Sequence, residues 1–278
     1  MLRGDRKLHT FCRVRAVAAL LLALTAWPAL GDELSGDALV QKVNQRDEGR
    51  FARSRVGMDL VDKSGFTRNR VARFFRATEG EDRKLAIFYE SPKAIRDTAF
   101  LTIDYGEVGS EDDQWLYLPA LRRSRRIASA DRGSAFLGTD LSYEEVKKGA
   151  RIAVEDYRFE RSTGEDALVD GHGCLAVTAT PVDDGVASEL GYSKVEYCID
   201  PEIWMVRRSE YWNRAGRHMK TVHARDIREV DGVWTAHRIE VVNHLNGHQT
   251  VFVFDEVEYP DSIDEDLFTE RRLRQGWR

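Results

Sequence analysis

The chain has 278 residues, of which 42% are hydrophobic and 10% aromatic, enough apolar material for a packed core and too much for a disordered tail or a fibre. Charged residues make up 32% and are mixed in sign, and the formal net charge of −5 gives no global reason to expect nucleic acid as a partner.

The first thirty residues differ from the rest. Arg13 and Arg15 precede an apolar run, Ala16 to Ala26, followed by Pro28 and the small-residue stretch Ala29-Leu30-Gly31. Basic start, short apolar middle and small residues at the end are the pattern of a cleavable secretory signal peptide. As a helix the run would rise only about 16 Å, half of a ~30 Å hydrocarbon core, so a permanent span is disfavoured. The expected organisation is therefore an export signal peptide over 1–31, cleaved near Gly31, and one domain over 32–278. Five basic residues and one acidic leave with the signal, which turns −5 into −9 and reduces three cysteines to two, Cys174 and Cys198.

Along the mature chain, Leu39, Val40 and Val43 recur at helical spacing behind Ser35, a suitable N-cap, and predict one short amphipathic helix. From Ala52 the period changes to two. Val56 to Leu60, Arg70 to Ala77 and Lys84 to Glu90 read as strands joined by turns rich in Gly and Asp, the pattern of an antiparallel meander. Asp231-Gly232 and Asn246-Gly247 are dipeptides suited to two-residue hairpins. Taking Asn-Gly as such a loop places Val241 opposite Phe252 and Ile239 opposite Phe254, with Arg238 opposite Asp255 on the other face. About ten or eleven strands are expected, with helical material between Asp131 and Lys148. So many strands in one sheet must curl, split or close, which makes a barrel or half-open barrel the expected solution.

Cys174 and Cys198 fall in two strand-like runs that would pair around Pro181 to Gly185. A cross-strand disulfide between directly opposed cysteines is one reading; two reduced core cysteines are the other. The six mature histidines (His172, His218, His223, His237, His244 and His248) show neither HExxH nor HxH spacing, and GxSxG and GxGxxG motifs do not occur. The expectation is a non-enzymatic protein without metal or cofactor.

The centre is unusual. Trp115 and Tyr117 share one face of a strand closed by Pro119, and Arg122, Arg123, Arg125 and Arg126 follow at once. These arginines fit either a solvated sheet edge that resists aggregation or a contact for anionic lipid or an acidic partner. Phe136 and Leu137 lie in an aperiodic stretch before Asp140, an acid placed to cap the helix-like Tyr143 to Lys148, and read either as a lid over the barrel or as a static plug.

Three segments in order, Ser91 to Leu101, Trp115 to Arg122 and Ser134 to Glu145, resemble the outer-membrane lipoprotein-sorting family of LolA-like proteins. Phe136-Leu137-Gly138-Thr139-Asp140-Leu141-Ser142-Tyr143 carries most of the resemblance, and Asp266 to Thr269 with Leu273 matches that family's ending. The resemblance implies a mainly β protein: a curved antiparallel sheet forming a half-open β-barrel covered by short helices, with an apolar cavity for lipid or lipoprotein acyl chains. It also implies a periplasmic carrier without catalytic residues, touching membranes peripherally and working with an inner-membrane transporter of the resistance-nodulation-division type. The competing reading is a lipid-sensing or interaction module of the envelope. Trp115, Tyr117, Ile239, Val241, Phe252 and Phe254 are the candidate cavity residues, with plain core packing as their alternative.

Overall fold

The computed structural model describes residues 34–106, 112–162 and 167–278; the signal peptide expected over 1–31 lies outside them. Helix α1 (Gly36–Gln45) starts where the Ser35 side chain accepts from the Ala38 amide, and buries Leu39, Val40 and Val43 completely. Strands β1 (Phe51–Val61), β2 (Thr67–Glu79), β3 (Asp82–Ser91), β4 (Ala99–Asp104), β5 (Asp113–Leu118) and β6 (Arg123–Arg126) follow as a meander. Helix α2 (Tyr143–Lys148) interrupts it. The second half contains β7 (Tyr157–Arg161), β8 (Ala167–Val169), β9 (His172–Pro181), α3 (Asp184–Leu190), β10 (Tyr192–Asp200), β11 (Met205–Asn213), β12 (His218–Val230), β13 (Val233–Asn243), β14 (Gln249–Glu258) and α4 (Glu270–Gln275).

The strands form one antiparallel sheet in the order β6-β5-β4-β3-β2-β1-β14-β13-β12-β11-β10-β9-β7, with β8 also on β9. Pairing of β1 with β14 joins the two halves of the chain, while β6 and β7 stay unpaired with each other, so the sheet remains open. Fourteen strands replace the expected ten or eleven. Very short strands account for part of the difference: β8 has three residues and β6 four, the latter without one apolar side chain to reveal alternation.

Alternation sorts side chains to two faces. The inner face carries one core around Val56, Met58, Ile87, Phe100, Phe136 and Phe252 and a second around α1, Tyr192, Val195 and Ile199. The outer face of β1–β5 carries Phe75, Phe88 and Leu101, covered by Leu267, Phe268 and Leu273 of the C-terminal segment. Neighbouring residues Phe74 and Phe75 thus serve different cores.

Both hairpin expectations meet their test here. Asp231 (φ 50°) and Gly232 (φ 84°) form the two-residue turn, with Val230 opposite Val233. The Asn246-Gly247 loop is longer: Asn243 closes on His248, Gly247 alone takes positive φ, and the register moves by two residues. Ile239 therefore faces Phe252, and Val241 faces Thr250. Arg238 faces Val253 and bonds Glu240 at 2.6 Å, while Asp255 faces Arg55. An even shift preserves the faces.

Cys174 and Cys198 form a disulfide with Cα atoms 5.1 Å apart. They are not directly opposed, since Cys198 pairs with Ala176 and the bridge runs diagonally between β9 and β10.

Candidate functional site

Where the two inner cores meet, the sheet and the α2 region enclose a cavity of about 360 Å³, within the ~300–1,000 Å³ typical of ligand pockets. Its apolar wall comes from strands far apart in sequence: Phe74 and Leu85 from β2 and β3, Met205 and Val222 from β11 and β12, and Ile239, Phe252 and Phe254 from β13 and β14. Phe74 and Phe254 meet edge to face at 6.1 Å. Exposed Trp234 and Arg53 also line it, which places its mouth at that rim.

Of the six residues proposed from sequence, Ile239, Phe252 and Phe254 line the cavity. Val241 packs inside the core beside it, 1% exposed. Trp115 and Tyr117 point elsewhere. Inward positions of β5 go to Gln114 and Leu116, so the two aromatics pack against the outer core under the C-terminal segment.

Phe136 is fully buried between Phe100 and Tyr143, with ring centroids 5.0 and 5.3 Å away, and lines the cavity. Leu137 sits with φ 47°, its carbonyl accepting from Arg70 at 2.7 Å. Asp140 does not cap the helix. Ser142 does, in a capping box with Glu145. Asp140 instead accepts from Thr250 at 2.6 Å and from Asn243 at 3.2 Å and pairs with His248 at 2.5 Å, tying the segment to the β13–β14 hairpin. Of the arginines, Arg122 precedes the edge strand β6 and Arg123, Arg125 and Arg126 belong to it; all are exposed, and Arg126 pairs with Asp113 at 2.9 Å.

The polar part of the cavity wall was missed by sequence reading and has two regions. In one, Glu145 and Tyr211 line the cavity, and Lys220, buried outside the lining, bonds Glu145 at 2.6 Å and lies 4.9 Å above the Tyr211 ring. Burial, with the Glu145 charge beside it, pushes the Tyr211 hydroxyl well above its ordinary pKa.

In the other, four arginines converge on one carboxylate. Arg46 bonds Glu48 at 2.8 Å, Arg151 at 3.1 Å, and Arg83 lies at 3.9 Å, while Arg76 donates to the Glu48 backbone carbonyl. Arg83 also donates to the Lys148 carbonyl at the end of α2. Gly149 closes that helix with φ 59°, and a Cβ there would come within 2.9 Å of the Arg83 guanidinium. Burial alone would raise the Glu48 carboxyl; the guanidiniums of Arg83, Arg46, Arg76 and Arg151 outweigh it and bring the pKa to about 2. A signal for the site existed. In β2 the inward series is Ala72, Phe74, Arg76 and in β3 it is Arg83, Leu85, Ile87, so alternation alone puts two arginines inside.

Among the described residues, no group of three or more His, Cys, Asp or Glu is placed to hold a metal ion. His248 and His237 have structural partners, Asp140 for the first and the Thr235 carbonyl for the second.

Several solved structures share the fold. A candidate outer membrane lipoprotein-sorting protein domain from Vibrio parahaemolyticus is 26% identical, with a TM-score of 0.77 over 86% of this chain and 98% of its own. A DUF1329 family protein from Desulfovibrio piger is 24% identical, with a TM-score of 0.78 over 86% and 97%. A LolA superfamily protein from Nitrosomonas europaea is 16% identical, with a TM-score of 0.62 over 86% and 99%. No curated protein matches the chain. A family model described as "-like: Uncharacterized protein" matches residues 81–275, and the chain belongs to that family, with the open antiparallel sheet of LolA-like and lipoprotein-sorting proteins.

Proposed function

We propose that the chain is an exported periplasmic carrier for a hydrophobic ligand, an acyl chain of a lipid or lipoprotein. The observation that carries this reading is the cavity of about 360 Å³, whose wall includes Phe74, Val222, Ile239, Phe252 and Phe254. Each methylene moved from water into such a space contributes about 0.8 kcal/mol. The likeness to a candidate lipoprotein-sorting domain from Vibrio and a disulfide suited to an oxidising compartment support the same assignment. Residues 1–31 would direct export, and an inner-membrane transporter of the resistance-nodulation-division type would load or unload the carrier. The exposed arginines Arg122, Arg123 and Arg125 at the sheet edge would face that partner or anionic lipid.

Native mass spectrometry of the protein purified from its own envelope tests the reading. A co-purifying lipid is expected with the wild type and its loss with Ala224→Trp, because Ala224 lines the cavity directly opposite Ile239 and an indole there takes up its space. Equal lipid content in both proteins would refute the assignment to this cavity.

A further inference from the structure

Three regions of the molecule stand outside the apolar wall: the arginine edge of β6, the Lys220–Glu145 pair, and the four arginines around Glu48. The second is internally neutral, and Arg126 on the first has its own carboxylate. The third is not balanced. Four guanidiniums share the single Glu48 carboxylate, leaving three positive charges in excess where Arg46, Arg76, Arg83 and Arg151 all line the cavity. Other carboxylates on that wall are matched elsewhere: Glu144 with Lys147 at 2.9 Å, Glu145 with Lys220 at 2.6 Å, Asp156 with Arg132 at 2.8 Å. Asp104, which also acts on Arg83, shares Lys148 with Glu155, at 3.1 and 2.8 Å, and offsets one of the three.

Hydrogen bonding shows the same deficit. The Nε–H groups of Arg46 and Arg83 are buried and have no acceptor, although both side chains are only 9% exposed. Buried donors of this kind are expensive unless something completes them. Arg151 uses only its Nε toward Glu48. Burial pushes the Arg83 guanidinium down, Glu48 pulls it up, Arg76 and Arg151 push it down again, and the pKa settles at about 10.

From this geometry we infer that the arginine cluster is an oxyanion site at one end of the cavity, taking the phosphate or carboxylate head of an anionic amphiphile whose chain occupies the apolar remainder. Guanidiniums are the side chains best shaped for such heads, since they offer paired donors to two oxygens at once. Placement of the tail follows from strand alternation. Phe74 and Leu85 are the inward neighbours, two residues along, of Arg76 and Arg83, so the head site abuts the apolar wall at about 7 Å. Arg76 also feels Tyr259, which bonds Thr235 at 2.6 Å, and both residues lie with Trp234 on the lining near the mouth. A ligand entering tail first would bring its charged end to rest there. This inference rests on the carrier reading and specifies its ligand class.

Calorimetric titration of the protein separates the two. The probes are palmitoyl lysophosphatidate, palmitate, uncharged monopalmitoylglycerol and inorganic phosphate, each lipid below its micellar concentration. Both anionic lipids should bind at least about tenfold more tightly than the uncharged one. Arg151→Gln, at a side chain 25% exposed and so tolerant of change, and Arg83→Met should each remove most of that preference, read as the ratio of lysophosphatidate to monopalmitoylglycerol affinity, with thermal melts run to check that each variant folds. Equal affinity for charged and uncharged lipids would overturn the head-group site and leave the carrier reading standing. Inorganic phosphate binding as tightly as lysophosphatidate would overturn the amphiphile assignment in favour of a free anion. Binding of no lipid would overturn both.

Discussion

Glu48 holds four arginines together, and its depressed pKa fixes how the protein meets acid. Folding lowers this carboxyl from 4.5 to about 2, so its contribution to stability is complete above about pH 4.5 and is lost as pH falls toward 2. Glu48→Gln strands buried guanidiniums without their counter-charge, a change that typically costs about 3–5 kcal/mol. Thermal unfolding should show that deficit at neutral pH and a shrinking difference from wild type below pH 4.5. Residues of this kind were only half legible. Arg76 and Arg83 can be found by following inward positions along β2 and β3, but Arg46, Glu48 and Arg151 come from loops after α1 and α2, where no period marks a face. Trp115 and Tyr117 show the reverse limit: alternation correctly puts them on one face and is silent on which face lines a cavity.

At the scale of elements, local chemistry was read well where one segment decides its own conformation. Ser35 and the spacing of Leu39, Val40 and Val43 suffice for α1, and Asp231-Gly232 suffices for its hairpin. The Asn246-Gly247 loop was misread because a distant residue sets it. Asp140 engages both Asn243 and His248, the pair that closes the longer loop, and no local preference encodes that. The same residue bears on the Phe136–Ser142 segment, which buried Phe136 and the Asp140–Thr250 bond fasten to the sheet. Ser142→Ala removes one half of the capping box on α2 and should cost about 1 kcal/mol in chemical denaturation. The diagonal disulfide closes a separation of 24 residues, worth about 3 kcal/mol on loop-entropy grounds. Replacing both cysteines by alanine should lower the denaturation midpoint by a corresponding amount, and a reductant should then have no further effect.

For the whole molecule, one open sheet explains both stability and use. Pairing of β1 with β14 brings N-terminal and C-terminal strands into one surface, so the cavity wall draws on β2, β3 and β11–β14 at once. The class of fold was legible because strands recur with turns between them from Phe51 to Glu258. Its openness was legible only as one solution among several, since the failure of β6 and β7 to meet depends on curvature summed over every strand. A closed barrel of the same residues would fill its interior with side chains; here Ile239, Phe252 and Phe254 on the inner face of β13 and β14 border a space. Photocrosslinking with a fatty acid bearing a diazirine on its chain tests that claim most directly. Adducts should fall on peptides carrying Ile239, Phe252 and Phe254 and disappear with Ala224→Trp, whereas adducts confined to exposed Phe66 and Leu121 or to the Trp115–Tyr117 face would contradict it.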